Sequence, residues 1–468
     1  MPDPLRPKVG LLALTLELYE TLAPGLREGR ERWLREQAIP ALQAQADVVF
    51  GRAVYRREDV DSAVASLIAA GVDALVVVCL TYSPSQFALP ALQRAGLPIL
   101  VWNTQELWAV DGSFTGQEMV DNHGVHGTQD LCNVLLRSGV PFQYVTSHLR
   151  DESALVDLGD CLAAAAAARR LRRARLGLLG YPFPGMGDFA LDTTHLAATL
   201  GCEWTMLSLQ EYLQRAADAP QSQVDALVAD YRSAYAVAPD VTAADLAATA
   251  RVELALRGMV QDHALDAFTY QFLAFGEDER TPTVPFVAAS RLLADGLGFG
   301  GEGDLIAAAG SAVLGWLQPP ATFAEMFTID FGGNAVLMSH MGEANVAMAR
   351  TDRPVPLVAR PTAITRTRER QLALAVSLQP GPATLCALTL GPEQRWRLVV
   401  APMTILDFGP LPSLESPHWK MAPAGDVRDF LNAYAQAGGP HHCAVCFGDA
   451  RPRLRRLAEV VGADHREL

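Results

Sequence analysis

The sequence lacks any apolar run of the roughly 18–20 residues that are needed to span a bilayer, and residues 1–7 contain no apolar signal segment. Its seven cysteines are few for 468 residues and are scattered rather than arranged in a dense, regular framework. Frameworks of that kind are typical of small secreted domains. These absences predict a cytoplasmic protein whose thiols are reduced.

Charged residues are also scarce, at 19%, whereas half of the residues are hydrophobic, so the chain can bury a large core. A length of 468 residues exceeds one ordinary core and indicates two or three domains. The formal net charge of -14 disfavours nucleic acids and anionic membrane surfaces, because both carry negative charge. We therefore expect no nucleic-acid or membrane partner, and a ligand that is neutral or cationic.

Short apolar segments alternate with amphipathic ones through the first two thirds of the chain. Residues 8–14 (KVGLLAL) and 74–80 (ALVVVCL) are typical of buried strands. Strands that alternate with helices predict parallel sheets covered on both faces, and hence two doubly wound, flavodoxin-like α/β domains over residues 1–170 and 171–330. Other predicted elements include helices over residues 26–44 and 119–136 and a strand over residues 267–272.

After about residue 330 the sequence becomes rich in β-type segments with little helix between them. Examples are Pro356–Arg360, Trp396–Ile405 and a segment over residues 363–367. This pattern predicts a C-terminal antiparallel, barrel-like domain over residues 331–468.

Four polar features lie in apolar, glycine-rich surroundings. They are residues 298–304 (GFGGEGD), 323–327 (FAEMF), 338–343 (MSHMGE) and 438–443 (GGPHHC). Each feature by itself is more often structural, since a glutamate after glycines usually belongs to a turn or a helix start. In combination, two carboxylates and two imidazoles suit a divalent metal such as Mn²⁺. An octahedral ion with four protein ligands has two open positions, which neighbouring oxygens of a sugar can fill.

Two other motifs offer competing interpretations. Residues 298–303 fit G-x-G-x-x-G, but a dinucleotide site needs that motif directly after a strand, and a helical pattern precedes it here. Cys443 and Cys446 form a C-x-x-C beside two histidines, but no second C-x-x-C lies at zinc-finger spacing. We expect ordinary thiols in an apolar strand.

The four polar motifs, in this order, resemble the metal-binding motifs of L-arabinose isomerases, and the resemblance covers nearly the whole chain. It implies Glu302, Glu325, His340 and His442 as ligands of Mn²⁺ or of another divalent metal such as Co²⁺ or Mg²⁺. The N-terminal half agrees, since Leu18-Tyr19, Tyr82-Ser83-Pro84 and His126-Gly127 match further family motifs. The substrate-binding positions that the resemblance implies are Leu18, Tyr82, His123, His126, Met186, Phe272 and His441.

The chain departs from the family at positions that contact the sugar there. Leu16 replaces a glutamine, Glu17 a histidine, Tyr82 a phenylalanine and His123 a glutamine. A site built to hydrogen-bond one pattern of hydroxyls rejects others strongly. The departures therefore preserve the metal ligands but point to another aldose, either L-fucose-like or less common.

The resemblance implies an aldose–ketose isomerase of carbohydrate metabolism, which is an intramolecular oxidoreductase. Glu302 and Glu325 would act as acid and base through a metal-stabilised cis-enediolate, with a hydride shift as a competing route. The resemblance also implies a homo-oligomer, a trimer or hexamer, whose site is shared between subunits. Two alternatives are a non-catalytic sugar-binding protein and a metal-dependent epimerase or lyase that uses related enediolate chemistry.

Overall fold

Residues 5–276, 280–360, 367, 369–409 and 411–468 are described by the computed structural model, and they fall into two units. The N-terminal unit comprises Leu5–Arg170 with Arg455–Gly462, and the larger unit comprises Leu171–Leu454 with Ala463–Leu468. No helix in these described ranges has the length and apolar character needed to cross a membrane.

Five parallel strands form the sheet of the N-terminal unit. They are β1 (Lys8–Leu14), β2 (Asp47–Val49), β3 (Ala74–Cys79), β4 (Ile99–Asn103) and β5 (Gln143–Thr146). Their order, β2-β1-β3-β4-β5, is that of flavodoxin-like folds. Successive side chains of β1 point to opposite faces, so that Leu11 and Leu12 enter two different core clusters. The sheet is thus covered on both faces, which confirms the prediction of a doubly wound fold.

The helices of this unit connect the strands. They are α1 (Leu18–Leu22), α2 (Leu26–Trp33), α3 (Ile39–Gln43), α4 (Arg57–Ala69), α5 (Ser85–Ala95), α6 (Gly116–Asp121), α7 (Val125–Arg137) and α8 (Glu152–Leu171). The helix predicted over residues 26–44 is α2 and α3 joined by a π-helical turn, Leu34–Ala38.

The single helix predicted over residues 119–136 is wrong, because α6 ends at Asp121 and α7 begins at Val125. Between the two helices the chain passes close to the sheet at Gly124. A Cβ atom on Gly124 would lie 2.1 Å from the carbonyl oxygen of Cys79, at the end of β3. Only glycine allows the chain to pass this close to the sheet.

A second parallel sheet opens the larger unit. The strands of this region are β6 (Arg175–Leu179), β7 (Glu203–Leu207), β8 (Ala236–Val237), β9 (Ala267–Tyr270) and β10 (Gly298–Gly300). The parallel sheet has the order β10-β9-β6-β7, which repeats the first part of the flavodoxin-like order. The helices are α9 (Thr193–Thr199), α10 (Leu209–Asp218), α11 (Gln221–Ala234), α12 (Ala243–Asp262), α13 (Phe272–Gly276), α14 (Phe286–Ala294) and α15 (Leu305–Leu317).

Two details of this region differ from the sequence prediction. The strand predicted over residues 267–272 ends at Tyr270, and Phe272 begins α13. The short strand β10 was not predicted, because two of its three residues are glycines, which disfavour strands.

Six of the remaining strands build a closed barrel. The remaining strands are β11 (Ala321–Asp330), β12 (Ala335–Ser339), β13 (Pro356–Arg360), β14 (Gln371–Leu374), β15 (Gly381–Leu390), β16 (Trp396–Ile405), β17 (His418–Pro423), β18 (His442–Phe447) and β19 (Asp464–Glu467). The strands β13 and β14 form a separate small sheet with β8, and β19 pairs with β16 in parallel. Antiparallel strands in the order β15-β18-β11-β12-β17-β16 return to β15, which closes the sheet and confirms the predicted barrel. The last two helices are α16 (Val427–Gln436) and α17 (Arg451–Val461).

The barrel begins before residue 330. Its strand β11 starts at Ala321 and carries Glu325, which lies within the range predicted for the central α/β domain, residues 171–330. The domain boundaries at residues 170 and 330 stay predictions. The strand predicted over residues 363–367 falls almost wholly outside the described residues.

Candidate functional site

The four side chains that were predicted as metal ligands come from three neighbouring barrel strands and one loop. Glu325 lies on β11 and pairs directly with His442, the first residue of β18. On the other side Glu325 pairs with Ser339, so His340 follows at the end of β12. Glu302 lies in the loop between β10 and α15. The sheet register therefore places residues that are distant in sequence at the same level of the barrel.

The donor atoms of these side chains converge in two overlapping groups. Glu325, His340 and His442 form one group, and Glu302, His441 and His442 form the other; within each group the donor atoms lie within 4.8 Å of one another. Glu302 Oε2 is 3.7 Å from Nε2 of both His441 and His442. We call Glu302, Glu325, His340 and His442 the candidate metal centre; their role as ligands stays a prediction.

Two buried carboxylates form hydrogen bonds with the Nδ1 atoms of the two histidines of the candidate metal centre. His442 Nδ1 lies 2.8 Å from Asp304 Oδ2, and His340 Nδ1 lies 2.5 Å from Glu343 Oε2. Each Nδ1–H donates to its carboxylate, which leaves Nε2 free to bind an ion, as is typical of metal-bound histidines. Asp304 and Glu343 were not predicted as functional residues, although both lie inside the polar motifs at residues 298–304 and 338–343.

The Nε2 atom of His442 provides a test of whether these residues fit a cation. The His442 side chain is 1% exposed, and its Nε2 has no hydrogen-bond partner among the described residues. An unpaired buried polar atom costs roughly 1–3 kcal/mol, which a bound ion would offset. A donor set of two carboxylates and two imidazoles matches the preferences of Mn²⁺ and similar divalent metals. The residues present therefore fit such an ion.

The local charges favour the ionised form of two carboxylates, those of Glu302 and Glu343. Burial raises the pKa of Glu302, but His441, His340 and His442 outweigh that effect and lower it below its usual value. Burial likewise opposes ionisation of Glu343, whose pKa is nevertheless lowered by His340 and by hydrogen bonds. Negative charge is thus maintained where a cation would bind.

His441 is fixed in orientation by Asp188, a residue that sequence analysis missed. Asp188 Oδ2 lies 2.6 Å from His441 Nδ1 and also accepts a 3.1 Å hydrogen bond from the His441 backbone N–H. The nearby Glu302 carboxylate and then Asp188 raise the pKa of His441 to about 9, against the effect of burial. The Nε2 atom, which is buried and has no hydrogen-bond partner among the described residues, lies toward Glu302.

The glycine-rich loop gives Glu302 an uncommon backbone conformation. Its φ is 57°, in the left-handed region, which costs of order 1–3 kcal/mol for a residue with a side chain. The Glu302 carbonyl accepts a 2.9 Å hydrogen bond from the Phe183 N–H. The next residue, Gly303, has a φ of 85°, and a Cβ there would lie 2.5 Å from the Tyr181 carbonyl oxygen. The glycine at position 303 is thus explained by the close approach of this loop to the segment around Tyr181.

A Gly301→Ala substitution should weaken Mn²⁺ binding by about tenfold or more, the effect typical of disturbing a metal ligand's surroundings. A Cβ on Gly301 would lie 2.9 Å from His340 Nε2 and 3.1 Å from Phe323 Cζ, so the imidazole must move. The measurement is a Mn²⁺ titration. The matched control is Gly332→Ala on an exposed turn, where the nearest atom to the new Cβ is 3.7 Å away. Equal Mn²⁺ affinity for both variants would contradict the prediction.

The two competing motifs have different outcomes. The helix α14 precedes the G-x-G-x-x-G motif, as predicted, but the first three residues of the motif form the short strand β10. However, the loop that follows carries the carboxylates of Glu302 and Asp304 next to the start of α15, and these repel a pyrophosphate. Cys443 and Cys446 lie buried in β18, as expected, and burial raises the pKa of Cys446 to about 12. Neutral thiols of this kind are poor metal ligands.

Apart from His441, the predicted substrate-binding residues of the larger unit lie in two segments. Phe272, at the start of α13, is in ring contact with Phe183 at a centroid distance of 6.2 Å. Met186 follows in the same loop as Phe183, and its N–H donates to the Phe183 carbonyl at 3.3 Å. This loop also carries Asp188, the partner of His441. The loop after β6 therefore connects the predicted sugar contacts to the candidate metal centre.

In the N-terminal unit, three of the four predicted substrate-binding residues form one aromatic cluster. Tyr82 and His126 stack at 5.0 Å, and His123 lies 5.1 Å from His126. Both ring nitrogens of His123 are engaged, because Nε2 is 2.8 Å from the Tyr19 hydroxyl and Nδ1 contacts the Val120 carbonyl. The structure thus adds Tyr19 to the cluster.

The other predicted residue of this unit, Leu18, is exposed at 55% on α1, directly before Tyr19. The cluster is supported by Asp130, which sequence analysis missed. Asp130 accepts hydrogen bonds from the Ser85 hydroxyl at 2.9 Å and the Tyr82 hydroxyl at 3.3 Å. These contacts fix the Tyr82 ring beside His126.

Comparison with known proteins gives consistent results. A family described as "L-arabinose isomerase central domain" matches residues 190–317, and one described as "L-arabinose isomerase C-terminal domain" matches residues 320–464. Together these models match more than half of the chain.

Individual relatives match over most of their length. The L-arabinose isomerase of Nocardioides sp. is 29% identical over 401 residues, which cover 82% of this chain and 78% of that protein. The L-arabinose isomerase of Acidothermus cellulolyticus is 28% identical, with the same coverage. That of Aeromonas hydrophila is 27% identical over 83% of this chain and 79% of its own length.

Among solved structures, an ABC transporter periplasmic solute-binding protein from Actinobacillus succinogenes with bound D-allose matches 63% of this chain and 84% of that chain. The sequence identity is 14% and the TM-score is 0.17, so this likeness carries no argument about function.

Proposed function

Because this chain belongs to an L-arabinose isomerase-like family, we propose that it is a metal-dependent aldose–ketose isomerase that acts on an L-arabinose- or L-fucose-like monosaccharide. The observation that supports the metal dependence is the convergence of Glu302, Glu325, His340 and His442 where β11, β12 and β18 meet the loop after β10. Mn²⁺ is the proposed ion, and Co²⁺ or Mg²⁺ could replace it. When bound, the ion supplies a Lewis acid that stabilises negative charge on the sugar oxygens O1 and O2.

The two carboxylates of the candidate metal centre are the proposed acid and base. In the direction from aldose to ketose, one carboxylate removes the proton from C2 and delivers it to C1, while a proton passes from O2 to O1. The intermediate is a cis-enediolate, and no oxidant or reductant is consumed. Glu302 is suited to proton transfer because its ionised side chain is 14% exposed and therefore reachable by a sugar.

A 1,2-hydride shift is the competing route. The two routes differ in the fate of the hydrogen on C2, which exchanges with solvent only if a carboxylate carries it as a proton. Isomerisation in D₂O should therefore place deuterium on C1 of the ketose. A product without deuterium would favour the hydride shift and would remove the base role from Glu302 and Glu325.

Several side chains would orient the sugar. His441 offers an unpaired Nε2 beside Glu302, in an orientation set by Asp188. Phe272 and Met186 would contact the sugar from the larger unit. The other proposed sugar contacts are Leu18, Tyr82, His123 and His126, with His123 acting through the Tyr19 hydroxyl to which it is hydrogen-bonded.

We further propose that the protein is a cytoplasmic homo-oligomer, a trimer or hexamer, in which His126 reaches the site of a neighbouring subunit. Tyr82 and Asp130 support the His126 ring from within its own unit. Mixing two inactive variants, Glu302→Gln and His126→Ala, tests the sharing of sites. Recovery of activity on mixing supports it, and a mixture that stays inactive contradicts it.

A screen of aldoses and ketoses with Mn²⁺, with products identified by NMR, tests the function itself. We expect at least one aldose to be converted to its ketose, and chelation of the metal to stop the reaction. Epimers or cleavage products would instead support a metal-dependent epimerase or lyase. Stabilisation of the protein by a sugar without Mn²⁺ and without turnover would support a binding protein.

A further inference from the structure

Tyr270 lies behind the candidate metal centre and has a fixed ring position. It is the last residue of β9 and is 1% exposed. Its ring contacts those of Phe299 and Phe275 at centroid distances of 5.2 and 5.6 Å. A ring packed in this way cannot change rotamer without disturbing the core, so the position of its hydroxyl is determined by the sheet.

The Tyr270 hydroxyl donates a hydrogen bond to Oε1 of Glu343, which is also fully buried. The other oxygen, Oε2, accepts from His340 Nδ1 at 2.5 Å and from the Gly342 N–H at 2.9 Å. The carboxylate is thus held through both oxygens, and its plane cannot rotate about the Cγ–Cδ bond.

We propose that Tyr270 is a positioning residue for metal binding, which acts through Glu343 to orient the imidazole of His340. A carboxylate that is fixed at both oxygens sets the ring plane of the histidine and the direction of its Nε2 atom. This inference rests on the proposed metal dependence, but it concerns a residue that touches neither the ion nor the sugar.

The other histidine of the candidate metal centre has an analogous support. Asp304 binds His442 through Oδ2, while its Oδ1 accepts a 2.8 Å hydrogen bond from the Ala307 N–H at the start of α15. Both supporting carboxylates are therefore anchored through their second oxygen, one by a helix end and the other by a buried tyrosine. Because two different partners fix the two carboxylates in the same way, we infer that the orientation of both histidines matters for function.

The test is Tyr270→Phe, which removes one hydroxyl and keeps the ring. Mn²⁺ affinity, measured by titration, should fall about tenfold, the lower end of the range for losing a partner of a metal ligand. Tyr212→Phe is the matched control, because Tyr212 is buried in the same core and its ring contacts Phe275 at 5.4 Å. Its hydroxyl has no hydrogen-bond partner in the described part of the chain, so the control should bind Mn²⁺ as the wild type does.

A double-mutant cycle tests whether Tyr270 acts through Glu343. In a Glu343→Gln background, Tyr270→Phe should weaken Mn²⁺ binding no further, because the carboxylate that it orients is gone. If the two substitutions weaken binding independently, the proposed path is overturned. Melting temperatures without metal, measured for each variant, separate a loss of stability from a loss of affinity.

Two outcomes distinguish this inference from the proposed function. If the wild type binds Mn²⁺ and Tyr270→Phe binds it equally well, the role of Tyr270 is overturned and the metal site stands. If the wild type binds no divalent metal, the proposed metal dependence fails and the role of Tyr270 fails with it.

Discussion

A Glu302→Gln substitution is expected to lower isomerase turnover by about 10²- to 10⁴-fold at saturating Mn²⁺, the usual cost of removing a positioned acid or base. The amide has nearly the same shape as the carboxylate, but it can neither accept the C2 proton nor carry negative charge next to His441 and His442. The fold should be unaffected, because the backbone of the loop is fixed by the Phe183 hydrogen bond and by Gly303 rather than by the side chain. The kcat of the variant and its melting curve are the measurements.

Glu393→Gln is the matched control for this prediction. Glu393 has nearly the same left-handed backbone, with a φ of 59°, but stands on an exposed turn. It should therefore show wild-type kcat. Full activity in Glu302→Gln would mean that this carboxylate neither binds the metal nor transfers the proton, and the assignment of the site would have to be revised.

The second large effect is expected for His442→Ala, which should reduce Mn²⁺ affinity by more than the roughly 10- to 100-fold typical of losing a partner of a metal ligand. His442 belongs to both groups of converging donor atoms, whereas His441 belongs to one of them. It is also the more deeply buried, with 1% of its side chain exposed against 30% for His441. Metal titration of the purified variants measures the difference.

His441→Ala is the comparison variant. Since its Nε2 is proposed to bind a sugar oxygen, this substitution should raise KM while Mn²⁺ affinity changes little. His442→Gln is a control for loss of affinity through unfolding, because glutamine fills more of the space next to Asp304 than alanine does. The opposite pattern, with affinity lost in His441→Ala and kept in both His442 variants, would exchange the roles of the two neighbouring histidines.

The fold was predicted best where local pattern determines it. The strands β1 and β3 are uninterrupted apolar runs, and such runs between helices identify a parallel sheet from sequence alone. The strand β11 was not predicted, although it carries Glu325, one of the four candidate ligands. It packs under α15, and its first four residues, 321–324, are all buried, so this part of the strand shows no alternation of polar and apolar residues.

In the candidate site, the proposed ligands were predicted from the sequence, whereas the residues that orient them were not. The sequence predicted Glu302, Glu325, His340 and His442 as ligands, because their motifs stand out from apolar surroundings and resemble, in the same order, those of a known family. It could not identify the groups that orient them, since Tyr270 looks like any aromatic residue of a buried strand.

What the sequence determined, then, was the type of each domain and the kinds of side chain available for chemistry, because both follow from residues near one another in the chain. Tertiary structure alone decided that Glu325 on β11 pairs with His442 on β18. It also decided that Asp304 accepts a hydrogen bond from Nδ1 of His442, and Glu343 from Nδ1 of His340. These contacts join segments that are far apart in sequence or depend on side-chain direction. Only the closure of the barrel and the packing of β9 and α15 against it determine them.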